Sequence, residues 1–290
     1  MGEERKEKNK YPMNGVIEYD YNYTPKTTIV INYFTSLETM IRTIDNLRTL
    51  GDEVEIIVNN DNYGKDVEKI MQTLNRRNDR MAVSRDIGER RGYDNGARMS
   101  ISSDFLIFTQ DDDLAPNNNQ WYEQCLSEFK NDSKLGMIGM LKGGWNYWQQ
   151  GYTTITNKYY KSYVSWLATG PLMIRRDLYF EINGWSEEYS QVGEADGGAD
   201  ADLTTKVMLA GYKSMLLRSP EVRQWQRRFK RGDGKPNGND KKIRTTTTWG
   251  KNCNARILLN NKIYAKKYKG SQPEIYKEVK QYNEEIGIKL

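Results

Sequence analysis

Three consecutive carboxylates, Asp111-Asp112-Asp113, follow the apolar run Asp104-Phe105-Leu106-Ile107-Phe108-Thr109. Adjacent negative charges repel. A divalent cation relieves that repulsion and prefers oxygen ligands. If the segment is extended, side chains alternate, and Asp111 and Asp113 then face one ion or one phosphate together. The plainer alternative is an exposed acidic turn. A second pair at the same spacing, Asp200 and Asp202, precedes Leu203, Val207 and Met208. Its two readings are a general base and the acid of a helix's first turn. A third polar group, Asn59-Asn60-Asp61-Asn62, follows the β-rich run Glu53–Val58. Arginines flank these clusters: Arg85, Arg90, Arg91 and Arg98 before the triple acid, and Arg223, Arg227, Arg228 and Arg231 late in the chain.

The 290 residues contain no histidine. That excludes a Ser-His-Asp triad, a Cys-His pair and an HExxH zinc site. Acid–base and metal chemistry must rest mainly on carboxylates, which suit Mg²⁺ or Mn²⁺. Two cysteines, Cys125 and Cys253, cannot build a disulfide framework, and a reducing compartment is the simplest expectation. The charged N-terminus lacks an apolar run, and no stretch reaches the length of a membrane span, so a cytoplasmic location is expected. A net charge of +5 admits anionic ligands without indicating nucleic acid.

The elements that would carry these residues read as follows. Thr28–Tyr33, Glu53–Val58, Met81–Ser84 and Asp104–Thr109 are short β-rich runs. Leu37, Met40, Ile41, Ile44 and Leu47 share one helical face, with Thr35 and Glu38 offered as a capping box. Val67, Ile70, Met71 and Leu74 mark a second helix. Further strands are expected at 135–141, 169–175 and 212–217, and helices near 176–183, 201–210 and beyond 271. Strands alternating with helices predict an α/β doubly wound, mainly parallel sheet. Ligands of such sheets sit beyond the carboxyl ends of the strands, where the acidic clusters fall.

In this order the features resemble the nucleotide-sugar glycosyltransferases of the GT-A (Rossmann-like) fold, especially the large family 2. Asp111–Asp113, before Leu114-Ala115-Pro116, resembles the family's DXD motif, and Asn95-Gly96-Ala97-Arg98 its upstream segment. Thr169–Arg176 with Ile182–Tyr189 is similar to "G-x-x-x-x-x-R-R … G-G-F-D-E". Ala199–Leu203, ending at Ala210-Gly211-Tyr212, is similar to "E-D-x-D-L … A-G-Y". The likeness covers about residues 27–217. It departs from the family where Ala199 replaces Glu, and where Asn59 stands for the Asp that usually meets the base. The histidine that often completes the metal site cannot exist here, so Asp233, Asp240 or water would fill that position, or the cation would be held by Asp113 and the diphosphate alone.

The resemblance implies transfer of a sugar from a nucleoside-diphosphate donor, most commonly UDP, to a hydroxyl of a glycan or glycoconjugate. Mn²⁺ or Mg²⁺ would sit on Asp113 with Asp111. Asn59, Asp61, Arg98, Asp111, Asp112, Gly170, Trp145 and Arg228 would contact the nucleotide-sugar. Asp200 would be the general base of an inverting reaction, with Asp202 orienting the acceptor. The expected organisation is a polar arm (1–26), a catalytic domain (27–220) and a C-terminal extension (221–290). The catalytic domain divides into a nucleotide-binding half (27–116) and an acceptor half (117–220). A nucleic-acid partner is not expected. The alternatives are a retaining transferase without an Asp200 base and a non-catalytic carbohydrate-binding protein, for which Ala199 leaves room. A sugar-phosphate nucleotidyltransferase would need a Gly-rich basic loop after the first strand, and Asn32–Ser36 lacks one.

Overall fold

The computed structural model of the chain describes residues 23–74, 78–140, 160–190, 200–226 and 248–288. The first half alternates strands and helices: β1 (Thr27–Tyr33), α1 (Leu37–Leu47), β2 (Val54–Asn60), α2 (Val67–Thr73), β3 (Arg80–Val83), α3 (Glu89–Met99) and β4 (Phe105–Gln110). The second half holds α4 (Gln120–Asn131), β5 (Leu135–Gly139), β6 (Lys161–Tyr163), β7 (Leu172–Arg175), α5 (Arg176–Glu181), α6 (Asp200–Leu209) and β8 (Lys213–Leu217). Two further helices follow, α7 (Thr248–Tyr268) and α8 (Gln272–Glu285).

The strands form one eight-stranded sheet in the order β3-β2-β1-β4-β7-β5-β8-β6. β1 pairs in parallel with both β2 and β4, and β5 in parallel with β8. β7 and β6 run against their neighbours. The expected mainly parallel α/β sheet is thus observed.

Central strands buried on both faces should be apolar and β-branched throughout, and β1 (TTIVINY) is buried at every position. Its alternate side chains enter different cores. Ile29, Ile31 and Tyr33 pack with Met40 and Ile44 of α1, Ile70 of α2 and Trp121 of α4. Val30 packs with Tyr93 and Ala97 of α3, Leu178 of α5, and Leu203 and Val207 of α6. The molecule is therefore three-layered, with helices on both faces of the sheet.

Two sequence expectations need correction. No Thr35–Glu38 capping box starts α1. Ser36 is its N-cap, makes no side-chain capping bond, and a carboxylate described below serves the nearby amides. The C-terminal region also holds more than a helix after 271, because the 21-residue α7 precedes it. Its mean polarity and weak helical periodicity hid it. α8 closes the β6 edge of the sheet. The Asn283 amide donates to Tyr163 O and accepts from Tyr163 N, both at 2.9 Å, as a neighbouring strand would. Among the described residues no helix is long and apolar enough to cross a membrane.

Candidate active site

The strand order reverses between β1 and β4, and a doubly wound sheet opens a crevice at that switch point. The triple acid lies there, but not as an extended segment. Asp113 N–H donates to Gln110 O at 3.2 Å, closing a turn, so strand alternation does not apply and Asp111 and Asp113 take different partners. Asp111 Oδ2 accepts from the backbone N–H groups of Phe34, Thr35 and Ser36, at 2.9, 2.7 and 2.7 Å. It thereby ties the end of β4 to the loop after β1. Asp113 is fully buried. Its Oδ2 lies 3.3 Å from both Thr109 Oγ1 and Gln110 N. Asp112 is half-buried and the most open of the three. The turn is braced from α1. Thr43 Oγ1 donates to Asp113 O at 2.6 Å, and Asn46 Nδ2 donates to Ala115 O at 2.7 Å. Leu114 and Gln226 exchange backbone hydrogen bonds at 2.9 and 3.0 Å.

At the end of β2, Asn59 is buried and donates from Nδ2 to Asn32 Oδ1 and Ser84 Oγ, at 2.9 and 3.1 Å. α3 lies directly over this pair. A Cβ on Gly92 would fall 2.1 Å from Asn32 Oδ1, so only glycine fits that close approach. Asp61, 2% exposed, accepts from Ser84 Oγ and Ile87 N through Oδ1 (2.7 and 2.8 Å) and from Gly88 N through Oδ2 (3.0 Å). It anchors the first turn of α3. Burial pushes its carboxyl above the usual value, although these donors oppose the shift.

Asp200 opens α6. Its Oδ1 accepts from Arg90 Nη2 at 2.8 Å and from Thr169 Oγ1 at 2.5 Å. Its Oδ2 takes no hydrogen bond among the described residues, and the side chain is 20% exposed. The next residue after Thr169 reaches the triple acid, since a Cβ on Gly170 (φ +69°) would lie 2.7 Å from Asp113 Oδ2. The Thr169-Gly170 pair therefore joins the two acidic clusters.

Asp202 behaves differently. It is 1% exposed, and both oxygens are engaged. Oδ1 accepts from Tyr268 Oη at 2.7 Å and Lys267 Nζ at 3.1 Å, and Oδ2 accepts from Ser186 Oγ at 2.6 Å. Lys206 Nζ stands 3.6 Å away. Burial, followed by the hydrogen bond and charge of Asp202, holds the Tyr268 hydroxyl far above its usual value and keeps it a donor. Burial works against the charge of Lys267, but Glu188 and Asp202 outweigh it and raise its pKa. Asp202 thus docks α7 onto α6.

The crevice accordingly gathers Asn59, Asp61, Asp111, Asp112, Asp113, Gly170 and Asp200. It does not gather Arg98. That side chain is 66% exposed at the C-terminal end of α3, paired with Asp94 at 2.6 Å, while the first turn of the same helix faces the site. Trp185 is 5% exposed and packs against Tyr93 and Phe108 at 6.1 Å, so it belongs to the core. Trp145, Arg228, Asp233 and Asp240 lie outside the described residues. Sequence reasoning grouped Arg90 with its basic neighbours and gave it no partner. The available signal was helical spacing: Arg90, Tyr93 and Ala97 share one buried face of α3.

No protein-family model matches the chain, and no curated protein matches it in sequence. Solved structures do match in fold. The mannosyltransferase PcManGT from Pyrobaculum calidifontis, in complex with GDP-Man and Mn²⁺, aligns over 71% of this chain and 57% of its own, with TM-score 0.51 and 16% identity. GalNAc-T7 with UDP, GalNAc and Mn²⁺ aligns over 93% and 56%, with TM-score 0.56 and 14% identity. TarS 1–349 from S. aureus aligns over 67% and 58%, with TM-score 0.53 and 13% identity. The chain thus spans a little over half the length of each of these structures. Their common architecture identifies the fold of this chain as GT-A.

Proposed function

We propose that the chain is a metal-dependent glycosyltransferase that moves a sugar from a nucleoside-diphosphate donor, UDP-linked in the first instance, to a hydroxyl of a glycan or glycoconjugate with inversion. One observation carries this reading. At the switch point of a GT-A sheet, Asp200 is fixed through one oxygen, its other oxygen takes no hydrogen bond among the described residues, and Thr169-Gly170 links it to the acidic turn.

The donor set fits a hard cation, because every candidate ligand in the turn is a carboxylate oxygen. Among the described residues no three acidic, His or Cys side chains form a metal cage. Mg²⁺ and Mn²⁺ need no such cage, since one or two carboxylates and the substrate's phosphates commonly hold them. The resemblance makes Asp113 the chief ligand, but that residue is fully buried, with Oδ2 beside Thr109 and Gln110. The pair is therefore revised: Asp112 and the Oδ1 of Asp111 would hold the cation, and Asp113 would brace the turn. The bound cation would supply neutralisation of charge on the departing diphosphate. Asp200 would accept the proton of the acceptor hydroxyl at Oδ2 while the hydroxyl's own oxygen bonds to the anomeric carbon. As that bond forms, the bond from carbon to diphosphate breaks, and the nucleoside diphosphate leaves with the electron pair. Asn59 and Asp61 would shape the nucleoside end.

The test is a screen of nucleotide sugars for Mn²⁺-dependent turnover, followed by calorimetry of the matching nucleoside diphosphate. Metal-dependent turnover that collapses in Asp200→Asn, with donor binding kept, is the expected result. Turnover unaffected by that substitution would remove the proposed base. A further expectation is that Asp112→Ala loses metal-dependent affinity more than Asp113→Ala does.

A further inference from the structure

We infer that Arg90 is a positioning residue for Asp200, holding the carboxylate so that only Oδ2 is presented to the acceptor. This rests on the proposed role of Asp200 and deepens it. An arginine near a diphosphate site would ordinarily be assigned to the phosphates. Arg90 is only 4% exposed, which withdraws it from that duty. Its Nη2 is directed 2.8 Å from Asp200 Oδ1. Its Cζ lies 5.7 Å from the centroid of the Trp185 ring, and Trp185 is wedged against Tyr93 and Phe108. A buried guanidinium held over a packed ring and bonded to a carboxylate has little freedom to swing.

The backbone that carries Arg90 is equally fixed. Asp61 binds the amides of Ile87 and Gly88 just before α3, and Gly92 seats the helix on Asn32 and Asn59. Thr169 Oγ1 supplies the second bond to the same Asp200 oxygen. Two donors on one oxygen set the plane of the carboxylate and leave its second oxygen as the proton acceptor. The nucleoside end and the acceptor end of the site are thereby connected through the first turn of α3.

The experiment is a double-mutant cycle on the full chain, using whichever nucleotide sugar turns over. Arg90→Gln is expected to lower kcat by about tenfold or more while donor KM stays within about twofold. Arg90→Lys should recover part of that loss. On an Asp200→Asn background Arg90→Gln should have almost no further effect, because the residue it positions is gone. An equal effect on both backgrounds, or a normal kcat in Arg90→Gln, overturns the inference. Should Arg90→Gln fail to fold, Thr169→Val removes only the second bond on Oδ1. A severalfold fall in kcat at constant KM is then expected, and an unchanged kcat overturns it. A wild-type chain that turns over no nucleotide sugar sinks the proposed function and this inference together. An active wild type with an indifferent Arg90 sinks this inference alone.

Discussion

The chain contains two Asp-x-Asp clusters, one at the end of β4 and one at the start of α6, and they use the same spacing in opposite ways. In the turn, Asp111 ties down a loop, Asp113 is buried, and the intervening Asp112 is the open member. On the helix, Asp200 is partly open and Asp202 is sealed beneath Tyr268 and Lys267. Residues two apart lie on one side of a strand but about 200° apart around a helix. A spacing of two therefore means shared duty only on a strand, and neither cluster is on one. Each cluster thus has one partly open carboxylate, Asp112 or Asp200, beside buried ones that hold the local structure.

The largest expected effect separates the two helix carboxylates. Asp200→Asn should cut turnover by roughly 10²–10⁴-fold with donor affinity kept. Asp202→Ala removes the partner of two lysines and two hydroxyls. It should cost about 3 kcal/mol or more of stability, read by urea denaturation. Asp202→Ala that unfolds normally, or Asp200→Asn that turns over normally, would break the division between them.

The acidic turn offers the same contrast at smaller size. Asp111→Ala strands three backbone N–H groups and should cost about 1–3 kcal/mol. Asp112→Ala should abolish metal-dependent binding of the nucleoside diphosphate, read by calorimetry with and without Mn²⁺. Gly170→Ala tests how tightly the two clusters are joined. Its positive φ and the 2.7 Å approach to Asp113 predict a loss of about 1–3 kcal/mol with reduced turnover. A neutral Gly170→Ala would show that the join is loose.

The strands were legible because burial on both faces favours apolar, β-branched runs, which β1 and β4 supply, and β2 supplies Ile56-Ile57-Val58 between the buried polar Glu55 and Asn59. The place of Asp111 was legible because such a run ends where ligands bind, whereas Asp200, at the start of a helix, was singled out by the motif resemblance. Their partners were not. Asp111 sits 75 residues from the Ser36 amide it accepts, and Arg90 sits 110 from Asp200. No local pattern encodes a pairing at that separation. Arg98 was misplaced for a related reason. A motif lists residues along α3, whereas the helix sends its two ends to different places. The long α7 was hidden because its burial depends on polar contacts, such as Asn260 Nδ2 to Tyr189 O at 2.9 Å, rather than on an apolar stripe.

The smallest effect concerns pH and a carboxylate remote from the crevice. Asp132 accepts from Tyr163 Oη at 2.9 Å and from Lys134 N at 2.9 Å, and Lys213 Nζ lies 3.2 Å away. Burial alone would raise its pKa, but the Tyr163 hydroxyl, Lys213 and the Lys134 amide outweigh it and hold it below the usual value. A carboxyl with a depressed folded pKa stabilises the fold above its unfolded pKa, and the contribution is lost as pH falls through the folded value. Asp61 is shifted the other way, because its donors do not offset its burial. Its contribution is present at low pH and is lost as pH rises through its raised value. Wild type minus Asp132→Asn should therefore show a stability difference at neutral pH of no more than about 1 kcal/mol, since the ion pair is partly solvated. That difference should shrink as pH drops below the ordinary carboxylate range. Wild type minus Asp61→Asn should instead narrow as pH rises out of that range. Parallel pH trends in the two variants would show that the crevice carboxylates and the structural ones share one environment, and the division between the two kinds of acid would not hold.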